Sequence, residues 1–195
     1  MSLIAIAPPA FDVDIDLAYA TTENFTGEPI YGRAVAQLHP EAATTLTRAI
    51  GLAAALGLRF RVFDAFRPVE AQWRLWEAYP DPEFIADPQR GSNHSRGIAV
   101  DLTLIDGASG AALDMGTPFD DFAPAAHHGH PDLSAEVQRN RAILLGLMTA
   151  AGWDWYRYEW WHYQLFDSRR YPLLCDAAAP LPMMTPAPDR EAAAQ

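Results

Sequence analysis

Two short stretches hold most of the chemistry this 195-residue chain can offer. The first runs Ser92, Asn93, His94, Ser95, Arg96, Gly97, Ile98, Ala99, Val100, Asp101. The second is Glu159, Trp160, Trp161, His162. Together they supply two imidazoles and one carboxylate as ligands, with a further carboxylate to spare. Three N/O ligands and an open fourth position make up a catalytic zinc site, in which the ion activates water. The spacing sets a condition. Seven residues of extended chain would hold His94 and Asp101 about 23 Å apart. Ligands of one ion must come within about 4 Å of each other. The segment 92–97 therefore has to fold back, and Gly97 is the residue that permits it. Glu159 and His162 lie three apart and would face opposite sides of a regular strand. A bulge or a tight turn is needed to aim both at one point.

Each feature also has a plainer reading. A lone His near an Asp is commonly a surface pair or a hydrogen-bonded core histidine. His127, His128 and His130 form a second cluster able to chelate, in a loop where such groups are mostly solvated. Asp12, Asp14 and Asp16 alternate with Val13, Ile15 and Leu17. They lack the central glycine and distal Glu of a calcium loop and read as the solvated face of a short strand. His39, before Pro40, reads as a helix-cap neighbour. The tryptophans at 73, 76, 153, 155, 160 and 161 read as core. Cys175 is the one cysteine, which excludes an internal disulfide and a cysteine-rich zinc site, and it reads as inert packing.

Composition narrows the partners. Fourteen basic against 25 acidic residues leave a net charge of −11. Such a chain repels phosphate backbones and anionic lipid, so neither nucleic acid nor membrane is expected. Residues 1–10 contain no Lys or Arg and include Pro8 and Pro9. They make a poor secretory signal, no run is long enough to span a bilayer, and a cytoplasmic location is expected. Oligomeric state is not legible.

The ligands need elements to carry them. Apolar spacing predicts a helix from Pro40 to about Leu56, with Gly57 just past its end. A strand follows over 58–66, with Leu58, Phe60 and Val62 on one side and Arg59 and Arg61 on the other. It delivers Asp64, Arg67 and Pro68 at its end. A second helix runs from Pro68 to about Tyr79, and a proline-rich loop spans 80–91. The strand over 97–104 turns Ile98, Val100, Leu102 and Leu104 to one face and Asp101 to the other. A hairpin return is expected over 112–115. A third helix spans 134–151 and stops at Gly152. An aromatic strand or hairpin covers 153–166. The sum is an α+β fold, a small, mainly antiparallel sheet packed with helices. Residues 1–175 are expected to form a single domain, and 176–195 an Ala/Pro-rich loose tail.

Taken together, the motifs resemble the D-alanyl-D-alanine dipeptidase family, of the hedgehog/DD-peptidase fold group. The family pattern Ser-x-His-x-x-Gly-x-Ala-x-Asp is met by Ser92, His94, Gly97, Ala99 and Asp101, and Glu-x-x-His by Glu159 and His162. Asp-x-x-Arg-Pro is met by Asp64, Arg67 and Pro68, the aromatic loop by Tyr19 to Gly27, and Met-Gly-x-x-Phe-Asp by Met115, Gly116, Phe119 and Asp120. These segments run in order from about residue 12 to about residue 172. The resemblance implies one zinc ion per chain held by His94, Asp101 and His162, with Glu159 as general base and Arg67 stabilising the oxyanion. It implies that Asp120 pairs with the substrate ammonium and that Ser92, Tyr19 and Tyr31 hydrogen-bond the termini of a small dipeptide. The plainer role for Arg67 is an ion pair with Asp64 or Glu70. The implied activity is hydrolysis of D-Ala-D-Ala, in glycopeptide resistance or cell-wall D-alanine recycling. Two alternatives stay open: a zinc D,D- or L,D-carboxypeptidase acting on longer wall peptides, and a non-catalytic hedgehog-like zinc module.

Overall fold

The structure, a computed structural model, describes residues 2–184. Two antiparallel strands, β1 (Ile4–Ala5) and β3 (Gln37–Leu38), sit beside a five-stranded sheet. In chain order the larger sheet comprises β2 (Val13–Ile15), β4 (Leu58–Asp64), β5 (Ala99–Asp106), β6 (Asp154–Trp155) and β7 (His162–Gln164). Its spatial order is β2-β4-β5-β7-β6, so β5 is central. Among the described residues only the β2–β4 pair is parallel, and the α+β, mainly antiparallel expectation holds.

Three helices complete the described fold: α1 (Pro40–Ala54), α2 (Val69–Ala78) and α3 (Ala135–Ala151). Pro40 opens α1, and His39 is its cap, Nδ1 accepting from the Glu41 N–H at 3.2 Å. Ser134 caps α3 through the Val137 N–H at 3.2 Å, and Gly152 ends it in the left-handed region. Helix α1 packs on α3 and β4, burying Leu46, Ala49 and Ala53 completely. No helix among the described residues is long and apolar enough to cross a membrane.

Several expectations need correction. The loose tail expected from 176 is tied down as far as it is described. Asp176 accepts from the Met183 N–H at 2.7 Å, Gln37 from the Leu181 N–H at 3.2 Å, and Met183 is fully buried. Residues 185–195 of the expected tail lie outside the described residues. Cys175 is exposed rather than packed. Trp73 and Trp155 are about two-fifths exposed, at 40% and 41%. The expected solvated loop histidines are half-buried, with His127 edge-on to Tyr158 and His128 edge-on to Trp155, both at 4.9 Å.

Candidate metal centre and active site

The site begins as an irregularity in the sheet. Val62 pairs with Leu102, but the register then shifts and Asp64 pairs with Asp101. In a regular strand Val62 and Asp64 would share a face. The extra residue, Phe63, turns Asp64 to the side of Asp101 instead. Asp101 in turn pairs with His162 across β5 and β7. Asp64, Asp101 and His162 thus form one row over three strands. Two carboxylates opposite each other on a sheet repel. Arg67 bridges them: its Nη2 lies 2.8 Å from Asp64 Oδ2 and 3.7 Å from Asp101 Oδ2.

His94 reaches this row from outside the sheet. Residues 94–96 form one 3-10 turn, closed by the Gly97 N–H to the His94 carbonyl at 2.9 Å. Gly97 sits at φ +69°, where a side chain is strained. A Cβ there would also meet Leu3 at 2.7 Å and the His39 nitrogen at 3.2 Å. The bend demanded by the sequence is present and brings His94 Nε2 to 3.3 Å from Asp101 Oδ2. The demand on Glu159 is met by a turn over 157–161, in which the Glu159 N–H donates to the Tyr156 carbonyl and the His162 N–H to that of Glu159.

The ligand atoms converge. His94 Nε2 lies 3.2 Å from His162 Nδ1, which lies 3.0 Å from Asp101 Oδ1. A tetrahedral zinc with Zn–N bonds of about 2.0 Å has ligand–ligand edges of about 3.3 Å. Second partners select the tautomers. His94 donates Nδ1–H to the Ala65 carbonyl at 2.7 Å, and His162 donates Nε2–H to Gln164 Oε1 at 3.1 Å. In its neutral form each imidazole therefore keeps its lone pair on the inward nitrogen. Among the described residues, this is the group of three whose donors lie within 4.8 Å of one another. Four carboxyls (Asp64, Asp101, Asp120 and Glu159) and the exposed Glu83 line or adjoin the cavity, against one guanidinium. A divalent cation would redress that balance.

The electrostatics follow from burial. Burial pushes Glu159 up to about 8 and Asp120 up to about 7, with the nearby Asp101 charge adding to each. For His162, burial favours the neutral ring, but the Asp101 hydrogen bond and charge overcome it and raise the ring to about 9. Burial likewise opposes ionised Asp101, yet His94 and His162 hold it well below the carboxylate range. The metal-free chain thus carries protons at pH 7 that a cation must displace. Zinc uptake at pH 7 is expected to release about one to two protons per ion, from His162 and Glu159, and to tighten as pH rises toward 9. Calorimetry in buffers of differing ionisation enthalpy measures this, and zinc binding without proton release would contradict the assigned ligand.

His94, Asp101, His162, Glu159, Arg67, Asp120, Ser92 and Tyr19 all line a single cavity of about 260 Å³. Glu159 Oε2 stands 3.8 Å from His162 Nδ1. The Arg67–Asp64 pair anticipated as the plainer reading is also present, with Nε donating at 2.8 Å, but it is buried beside the metal ligands and not on the surface. Tyr19 donates its hydroxyl to Asp120 at 2.8 Å, and Ser92 Oγ accepts the His94 N–H at 3.2 Å. Tyr31 does not reach the cavity. Its hydroxyl donates to Asp64 Oδ1 at 2.8 Å, so it supports the carboxylate that holds Arg67 and is corrected from substrate ligand to support. Sequence reasoning missed Gln164, which stands two past His162 on the same strand face and also accepts from Asn93. The period of two was the available signal. Pro82 to Ala86 and Tyr156, also on the cavity, carried no signal.

Residues 2–177 match the peptidase M15 family described as D-Ala-D-Ala dipeptidase. The chain is 45% identical over 165 residues to the D-alanyl-D-alanine dipeptidase of Escherichia coli, covering 85% of each chain. It is 33% identical over 172 residues to the protein of that name from Enterococcus faecalis, covering 78% of this chain and 85% of that one. Against the Streptomyces coelicolor protein of that name it is 34% identical over 170 residues, covering 77% and 84%. With residues 2–177 matched by the family model and 85% of the chain aligned to a relative at 45% identity, the chain belongs to the D-Ala-D-Ala dipeptidase family of peptidases.

Proposed function

We propose that the chain hydrolyses the dipeptide D-Ala-D-Ala to two D-alanines, with one zinc ion held by His94, Asp101 and His162. The observation that carries this reading is the convergence of that triad, Glu159, Arg67 and Asp120 on one small cavity. Its volume lies below the roughly 300–1,000 Å³ of sites for drug-sized ligands.

Zinc, when bound, acidifies a water and polarises the scissile carbonyl. The chain's own groups do the rest. Glu159 takes the proton of the attacking water and returns it to the departing amine. Arg67 offers N–H groups to the carbonyl oxygen as charge gathers there. Asp64 and Gln72 occupy its other donors, at 2.8 and 3.1 Å, and so orient the guanidinium. Asp120 pairs with the substrate ammonium, and Tyr19 holds that carboxylate in place. Its backbone, at φ +60°, is one that Asp tolerates better than most residues. Ser92 keeps its hydroxyl hydrogen for the substrate. A dipeptide is charged at both ends, so a pocket that engages both selects against longer chains. A binding-only module has no use for a base and an oxyanion donor beside the metal. Cytoplasmic turnover of D-alanine, in wall recycling or glycopeptide resistance, is the setting this reading suits.

The test is the release of free alanine by zinc-loaded protein from D-Ala-D-Ala, L-Ala-L-Ala and a wall pentapeptide. Release from D-Ala-D-Ala alone is expected. Release from the pentapeptide but not the dipeptide would replace this reading with a carboxypeptidase.

A further inference from the structure

One wall of the cavity comes from neither the metal ligands nor their partners. Five consecutive residues, Pro82 to Ala86, line it. They lie in the loop between α2 and the His94 turn. Backbone hydrogen bonds in this segment stay local: the N–H groups of Phe84 and Ile85 both donate to the Asp81 carbonyl, at 3.2 and 2.8 Å. Among the described residues, two hydrogen bonds tie the segment to the rest of the molecule. Tyr156 donates its hydroxyl to the Glu83 carbonyl at 3.0 Å. Gln72 donates its amide N–H to the Ala86 carbonyl at 2.7 Å.

Both straps begin at residues engaged with the reaction's own groups. Gln72, on α2 and 1% exposed, uses its Oε1 to accept from Arg67 Nη1 at 3.1 Å. One side chain therefore joins the wall to the guanidinium. Tyr156 opens the turn that bears Glu159, whose N–H donates to the Tyr156 carbonyl at 3.3 Å. The wall is held at one end through the arginine and at the other through the base. Asp101 and His162 are fixed by strands, His94 by its hydrogen bond to the Ala65 carbonyl, and Arg67 by its buried ion pair with Asp64. The wall is fixed by two side-chain hydrogen bonds, the packing of Phe84 on Phe122 at 4.9 Å, and buried Ile85.

We propose that Gln72 and Tyr156 are specificity-determining positioning residues. By strapping Pro82–Ala86 across the cavity they limit it to a two-residue substrate, and Gln72 makes the orientation of Arg67 depend on the wall being in place. The inference rests on the dipeptidase reading above and adds to it the device that selects substrate length.

Tyr156→Phe and Gln72→Met, singly and together, test it in the zinc-loaded full chain. The substrates are D-Ala-D-Ala and D-Ala-D-Ala-D-Ala, with amide hydrogen exchange over 83–86 read in parallel. In the double variant, kcat/KM for the tripeptide relative to the dipeptide is expected to rise at least about tenfold, with smaller rises in each single variant. Exchange at Phe84 to Ala86 is expected to quicken by a similar factor. Tyr156→Phe removes one oxygen from a half-buried ring, so the fold is not at stake in that variant. Faster exchange with an unchanged substrate ratio overturns the role in length selection. Unchanged exchange overturns the straps themselves, without reference to activity. If the unmodified protein leaves D-Ala-D-Ala intact, the dipeptidase reading fails and length selection falls with it. That result is distinct from failure of the straps, which appears only in the variants.

Discussion

Glu159→Gln is expected to lower kcat on D-Ala-D-Ala by about 10²–10⁴-fold, the usual contribution of a positioned general base, while zinc stoichiometry stays at that of the unmodified protein. The two halves separate two roles for one carboxylate. Glu159 Oε2 lies 3.8 Å from His162 Nδ1, close enough to serve a reacting water but outside the tight group of His94, Asp101 and His162. Gln keeps the volume and the turn but cannot accept a proton. Loss of zinc together with activity would make Glu159 a ligand and remove it as base. The pH profile gives a second readout. The base works only when ionised, so the rate rises with pH through its pKa. Burial sets that value at about 8 in the metal-free chain, and a neighbouring cation favours the carboxylate. The acid limb of kcat/KM should therefore fall at or below about 8 and disappear in Glu159→Gln.

The limits of sequence reasoning are physical. The helices and the long strands were legible because apolar spacing, Pro40, Ser134 and Gly152 act locally. The back-fold at Gly97 could be stated as a geometric demand, because two ligands seven apart cannot share an ion in an extended chain. The way the sheet meets that demand was hidden. The register shift at Phe63 depends on pairing with β5, a contact between residues far apart in sequence. Tyr31 looked as available for substrate as Tyr19. Only the fold shows that one hydroxyl meets Asp64 behind the site and the other meets Asp120 on the cavity. The segment 82–86 has no periodicity, so nothing local marked it as a wall. The Ala/Pro-rich stretch after 175 read as loose because composition carries no record of Gln37 and Gly32, whose backbone and side-chain bonds hold it down.

Arg67→Ala is expected to cost about 10²–10³-fold in kcat, as loss of an oxyanion donor does, with zinc content unchanged. The substitution also leaves a fully buried Asp64 carboxylate without its partner, and breaking such a pair typically destabilises by about 3–5 kcal/mol. A lower rate alone would therefore not distinguish catalysis from damage. Two further variants do. Asp64→Asn with Arg67→Ala removes both charges and should regain much of the lost thermal stability while kcat stays low. Arg67→Lys keeps a charge but not the planar fork. The fork donates through Nε to Asp64 and through Nη1 to Gln72, sets Nη2 in an ion pair with Asp64 at 2.8 Å, and lines the cavity. An ammonium has three donors on a flexible stem and cannot meet all of these directions at once. Arg67→Lys should accordingly fold and bind zinc, yet turn over slowly. An unchanged rate in either Arg67 variant would remove the guanidinium from the reaction. Recovery of kcat together with stability in the double variant would make its role structural. Low kcat in a restored fold is the result expected of a group that acts on the transition state.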